Sequence, residues 1–194
     1  MEGRTLFKNI KKFVIGGLMV TSLLMGANQS FAADHSGHYN RNLWNYDDWE
    51  HDSNGKVNVV YSYIQIGDVN YLSEVNQSVY HWDYEVLGGA QPFEFEYDHA
   101  VNANVRISSD DFGNVDWIGR ANVGSATKTI QLNEYHDLNK GYYTSSYYTV
   151  LNHEFGHVFG LDHYDCSSEV MYKTSPNYMK DLYIGDEAGV ARIY

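Results

Sequence analysis

Apolar and polar positions along the chain fall into a few regular patterns. Residues 56–66 (KVNVVYSYIQI) are rich in β-branched and aromatic side chains and predict a strand. Leu72, Val75, Val79, Trp82 and Val86 then recur at spacings of 3, 4, 3 and 4, which is one apolar helical face across residues 68–86. Gly88-Gly89 marks its end. Phe93, Phe95 and Tyr97 alternate with Glu94 and Glu96, and Ala103, Val105 and Ile107 alternate with Asn104 and Arg106, so two half-buried strands are expected. Residues 110–119 (DDFGNVDWIG) read as a loop. A short strand at 120–123 and another at 128–132 (KTIQL) follow, then a helix from about Ser145 to Gly160 and a last helix near 186–194. That order predicts one α+β domain with a mixed, twisted sheet, a helix over about 145–160, a backing helix and a C-terminal helix.

The first 33 residues follow a different pattern. Arg4, Lys8, Lys11 and Lys12 precede an apolar block of 13 residues, Phe13–Met25, and small or polar residues lead to Ser30-Phe31-Ala32. This is the order of a secretory signal peptide, with cleavage expected after Ala32. A retained anchor is the alternative, but the block is short for a span of about 20 residues. Residues 33–55 read as a loose polar arm and 56–194 as one folded domain. The reading predicts a secreted, extracellular monomer with no membrane contact once the leader is removed.

Composition narrows the partners. The 194-residue chain carries a net charge of −12, which becomes −15 once the basic leader is set aside. Nucleic-acid binding is disfavoured, because phosphate recognition needs clustered Lys and Arg. A single cysteine, Cys166, excludes an internal disulfide framework and a Cys-rich structural zinc site.

The chemistry concentrates in residues 149–172, TVLNHEFGHVFGLDHYDCSSEVMY. His153 and His157 are four apart on the expected helix and project from one side. Two imidazoles so placed can grip one metal ion. Glu154 is too far round to ligate but is near a water at the open position. Gly160 permits the backbone to turn, and the turn can return His163 as a third ligand. Three neutral nitrogens with one open position suit a catalytic zinc rather than a structural one. Five fixed positions at this spacing would coincide in roughly one such chain in ten thousand, so chance is a poor account of them.

This pattern, His153-Glu154-x-x-His157-x-x-Gly160-x-x-His163 with Met171 downstream, resembles the metzincin zinc endopeptidases. It is most similar to the matrixins, through Gly160-Leu161-Asp162-His163 and the turn Val170-Met171-Tyr172. The order of elements from Val57 to Ile107 and the closing Asp186-x-x-Gly189-Val190 are similar more weakly. The resemblance implies one zinc ion on His153, His157 and His163, with Glu154 as general base and Met171 as an apolar floor beneath the metal. It implies protein or peptide substrates bound extended along an edge strand within 120–124.

The chain departs from the family in places. Lys173 stands where matrixins usually carry a proline, and Lys173, Thr174 and Ser175 are expected to border the pocket beside the metal. No cysteine-switch motif is present. His81, His99 and His136 are scattered, which favours packing or solvated roles over a second zinc. Asp110, Asp111 and Asp116 flank Gly113 and read either as a calcium site or as a solvated acidic turn. Cys166 is expected to be a spectator thiol, because a thiolate in the fourth position would block water. His163 rather than Asp162 is expected as the third ligand. Of Tyr142, Tyr143, Tyr147 and Tyr148, one could stabilise an oxyanion or bind substrate, while packing is the expectation for most. The function expected is zinc-dependent peptide hydrolysis; the alternative is an exported binding module on the same scaffold, for which Glu154 would have no use.

Overall fold

The computed structural model describes residues 48–84, 92–174, 182 and 184–194; the leader, Val86, Gly88-Gly89 and Ser175 lie outside them. The described chain forms strands β1 (Val57–Gln65), β2 (Phe93–Tyr97), β3 (Val105–Asp110), β4 (Gly119–Asn122) and β5 (Lys128–Asn133), with helices α1 (Leu72–Tyr84), α2 (Tyr135–Lys140), α3 (Ser146–Val158) and α4 (Ile184–Ile193).

The strands make one five-stranded sheet in the order β2-β1-β3-β5-β4. β1 pairs in parallel with β2 and β3, and β3 in parallel with β5, whereas β4 runs antiparallel to β5. The sheet is therefore mixed, and β4 forms one of its open edges. Its inward positions follow the period of two: Val57, Val59, Val105, Ile107, Ile130 and Leu132 are all buried. Against them pack Val75, Val79 and Trp82 of α1 and Tyr147, Val150, Leu151 and Phe155 of α3.

α3 is buried along nearly all its length, its polar Asn152, His153 and Glu154 included. α1 packs beside it, which is why the 3-4 spacing of valines on α1 was readable. Beyond the end of α3, Phe159 is stacked on Phe93 (ring centroids 4.1 Å) and meets Trp82 edge-on at 5.0 Å. These rings fasten the C-terminal end of α3 to the sheet.

Residues 48–55, read from sequence as the end of a loose arm, are tied to this core. Trp49 is buried against Phe159 at 6.0 Å, Asn58 N–H donates to Glu50 O (2.8 Å), and His51 bridges Val57. The stretch is polar on average, and one indole supplies the burial that its composition hides. The short α2 was also not expected. It has six residues and closes at Gly141, whose φ of 71° needs the left-handed region.

Just before α2, Glu134 is buried and accepts the N–H groups of Asp68 (2.9 Å) and Val69 (2.8 Å). The loop between β1 and α1 is held by that carboxylate. It approaches so closely that a Cβ on Gly67 would overlap the Glu134 side chain.

Candidate metal centre

α3 carries His153 and His157 one turn apart and then stops in a defined way. Gly160 N–H bonds His157 O (3.0 Å) and Leu161 N–H bonds Gly156 O (2.8 Å), the paired closure of a Schellman turn. Its left-handed residue is Gly160, at φ 94°. A side chain there would be strained, so the glycine is what lets the chain reverse and bring His163 back.

The three imidazoles meet. Their Nε2 atoms are 3.1 Å (His153–His163), 3.1 Å (His153–His157) and 3.2 Å (His157–His163) apart. The opposite ring nitrogens explain why. His153 Nδ1 lies 2.7 Å from Val170 O and His157 Nδ1 lies 2.9 Å from Leu161 O. A carbonyl oxygen can only accept, so each Nδ1 carries the hydrogen and each Nε2 is left with a bare lone pair. Converging lone pairs repel one another unless a cation shares them. Three imidazole nitrogens, two of them oriented by carbonyls behind them, fit a zinc ion with one position left open. Among the described residues, this trio is the group of three whose ligand atoms gather within 4.8 Å. Burial holds His157 below the usual histidine range, which keeps it neutral and able to ligate.

The shell behind the histidines comes from distant sequence. Asp186 of α4 is fully buried and accepts Val170 N–H (2.9 Å) and Met171 N–H (3.2 Å). It thereby fixes the segment whose carbonyl orients His153. Met171 is fully buried against α3 at Gly156, where a Cβ would overlap its Sδ.

Glu154 faces a cleft of about 460 Å³ whose lining includes the three histidines, Ile118, Gly119, Arg120 and Ala121 on one side and Lys173 and Thr174 on the other. The Glu154 side chain is 6% exposed. Burial pushes its carboxyl up to about 8, opposed by a hydrogen bond from the Ala121 backbone N–H. β4 approaches α3 closely at this point, since a Cβ on Gly119 would overlap Val150. Asn133 N–H donates to Ile118 O (2.7 Å), which makes those opposed residues a hydrogen-bonded pair. Alternation along an antiparallel ladder then turns the N–H and C=O groups of Gly119 and Ala121 to the open edge, toward the cleft.

The matrixin family model matches residues 46–194. The chain belongs to the matrixin family. Matrixins are zinc metallopeptidases, and membership places this chain among the hydrolases of peptide bonds. No curated protein matches it. No helix among the described residues of this matrixin is long and apolar enough to cross a membrane.

The remaining sequence candidates in this matrixin are placed as follows. Asp162 accepts its neighbour's N–H, from His163 at 2.8 Å, and is outside the ligand trio. Cys166 Sγ lies 3.1 Å from Ser168 Oγ and is also outside it. Asp110 and Asp111 accept the backbone N–H groups of Asp111 and Gly113 (2.9 and 2.7 Å), and with Asp116 they do not form a gathered ligand group. His81 is buried and accepts Leu182 N–H at 3.3 Å; His136 is buried beside Tyr135 and Tyr142; His99 is exposed. Tyr147 and Tyr148 are core residues, Tyr143 is 69% exposed, and Tyr142 lines the cleft. Two contributions went unread in the sequence. Gly156 left a signal, being a glycine in a helix interior, where it costs about 1 kcal/mol against alanine unless packing needs it. Asp186 was read only as part of the closing helix pattern; its hold on Val170 and Met171 left no signal, because those partners are backbone groups.

Proposed function

We propose that this matrixin is an exported zinc endopeptidase that cleaves within protein substrates. His153, His157 and His163 hold the ion, Glu154 acts as general base, and Met171 packs beneath. The observation that carries the reading is the convergence of three Nε2 lone pairs at 3.1–3.2 Å beside a buried carboxylate. Zinc held by these histidines would supply Lewis acidity toward the scissile carbonyl and the attacking water. Glu154 takes the proton from that water and returns it to the leaving amine. Its burial raises its proton affinity, which suits a group that must accept a proton and release it again. The outward N–H and C=O of Gly119 and the C=O of Ala121 receive the extended substrate backbone as an added strand. The apolar block Phe13–Met25, short and preceded by basic residues, supports export with cleavage after Ala32.

The test uses the chain from Ala33 onward, purified with zinc. Casein should be hydrolysed, hydrolysis should stop on chelation and with Glu154→Ala, and metal analysis should find one zinc per chain. A zinc-loaded protein without hydrolysis overturns the proposal in favour of a binding module. N-terminal sequencing of material recovered from the culture medium checks the leader, with Ala33 expected first.

A further inference from the structure

We propose that Arg120 is a specificity-determining residue, reading an acidic side chain of the substrate next to the cleaved bond. The inference rests on the proteolytic reading above. Two cationic side chains besides the histidines line the cleft, Arg120 and Lys173. Lys173 is matched by Asp165 at 3.3 Å. Arg120 is not matched by any carboxylate among the described residues, and Asp116, in the same cleft, makes no ion pair with it.

The Arg120 guanidinium is nonetheless held in place. Its carbon sits 4.4 Å from the ring centre of Trp117 and 5.8 Å from that of Phe112, and its Nε donates to Gln131 Oε1 at 2.8 Å. Stacking and one hydrogen bond fix the plane and occupy the inner nitrogen. The two terminal nitrogens have no hydrogen-bond partner among the described residues. A fixed guanidinium with both outer nitrogens open is matched in geometry to a carboxylate.

Register supplies the position. Arg120 is opposite Gln131 in a hydrogen-bonded pair, so its own N–H and C=O face β5 and not the cleft. A substrate strand added antiparallel on the other edge therefore meets Arg120 as a non-hydrogen-bonded pair. In such a pair the two side chains share a face and approach most closely, with Cα atoms about 4.5 Å apart. The neighbouring substrate residue, opposite Ala121, faces Glu154. The residue read by Arg120 is thus next to the one at the reacting centre. On a chain whose net charge without the leader is −15, an acidic substrate residue would otherwise be repelled, so the preference belongs to this one side chain.

The experiment is a set of quenched-fluorescence peptides in which Glu, Gln or Lys is placed at each position flanking one cleaved bond. The wild type should favour Glu over Gln about tenfold in kcat/KM at a single position, the size expected of one partly solvated charge-assisted pair. Arg120→Gln should bring that ratio to about 1, Arg120→Lys should keep part of it, and Arg120→Glu should reverse it in favour of a Lys peptide. A purely structural role would lower the rates for all peptides together and leave the ratio unchanged, which overturns the inference. Hydrolysis of casein without any Glu preference overturns it alone. A zinc-loaded wild type that hydrolyses nothing overturns both it and the proteolytic reading.

Discussion

Glu134 and Glu154 are both buried, at 2% and 6% exposure, and they stand in contrasting surroundings. Glu134 accepts two backbone N–H groups, from Asp68 and Val69, and its carboxylate ties a loop to the sheet. Glu154 accepts the N–H of Ala121 and otherwise faces the cleft, with its proton held up to about 8 by the cost of burying charge. A buried carboxylate with its acceptors taken behaves as part of the scaffold. One left half-satisfied beside a cleft is costly to the fold and available to a reaction, and such costs collect at functional sites.

The largest effect tests the reactive side of that contrast. Glu154→Ala should lower kcat by about 10²–10⁴, the usual worth of a general acid–base group, while the unfolding midpoint of the zinc-loaded protein does not fall. A large loss of stability would place Glu154 with Glu134 and break the distinction. Next, Glu134→Ala orphans two buried N–H groups and should cost about 2–4 kcal/mol in urea unfolding, with activity per folded molecule retained. Glu134→Gln, which keeps one acceptor oxygen, should cost about half as much. Gly156→Ala should cost about 1–3 kcal/mol by overpacking against Met171 and should weaken zinc binding, as measured by competition titration.

The smallest effect extends the contrast to a buried cation. Lys128 is 2% exposed, with Nζ 4.0 Å over the Trp49 ring, and burial pulls its ammonium down to about 8 against the opposing charge of Asp48. The unfolded chain keeps that proton up to its ordinary value of 10.5. Between the two values the unfolded state binds more protons, so stability rises with pH across that window; below it the full cost remains. Subtracting the Lys128→Met midpoint from the wild-type midpoint at each pH should isolate this rise. A flat difference would remove Lys128 from the argument.

Much of this was legible because it is local. The three histidines, Glu154 and the turning glycine lie within residues 153–163, on one helix and the turn that ends it, so spacing alone placed them together. The strands and α1 were legible because one side of each is buried and the period shows. What escaped depends on contact across the chain. Trp49 docks on Phe159, more than a hundred positions away, from a stretch that is otherwise polar. Glu134 and Asp186 bind backbone groups, which every residue possesses and no residue name reveals. α2 is too short for a period to register, although Gly141 marked its end.

The histidines also differ in a way that governs time rather than affinity. His153 is buried, His157 half-buried and His163 exposed. The first two are carried by a helix packed into the core, and the third by a loop whose N–H is tethered to Asp162 Oδ1 at 2.8 Å. With zinc held as proposed, ligand release should begin at His163, because swinging a loop is far easier than melting a buried helix. Asp162→Ala should hasten transfer of zinc to an external chelator, followed by stopped-flow absorbance, and equal rates in variant and wild type would refute this. A proposed ion would then have an entrance side and a wall side, and the lifetime of the loaded centre would be set by a few loop residues rather than by the fold that holds it.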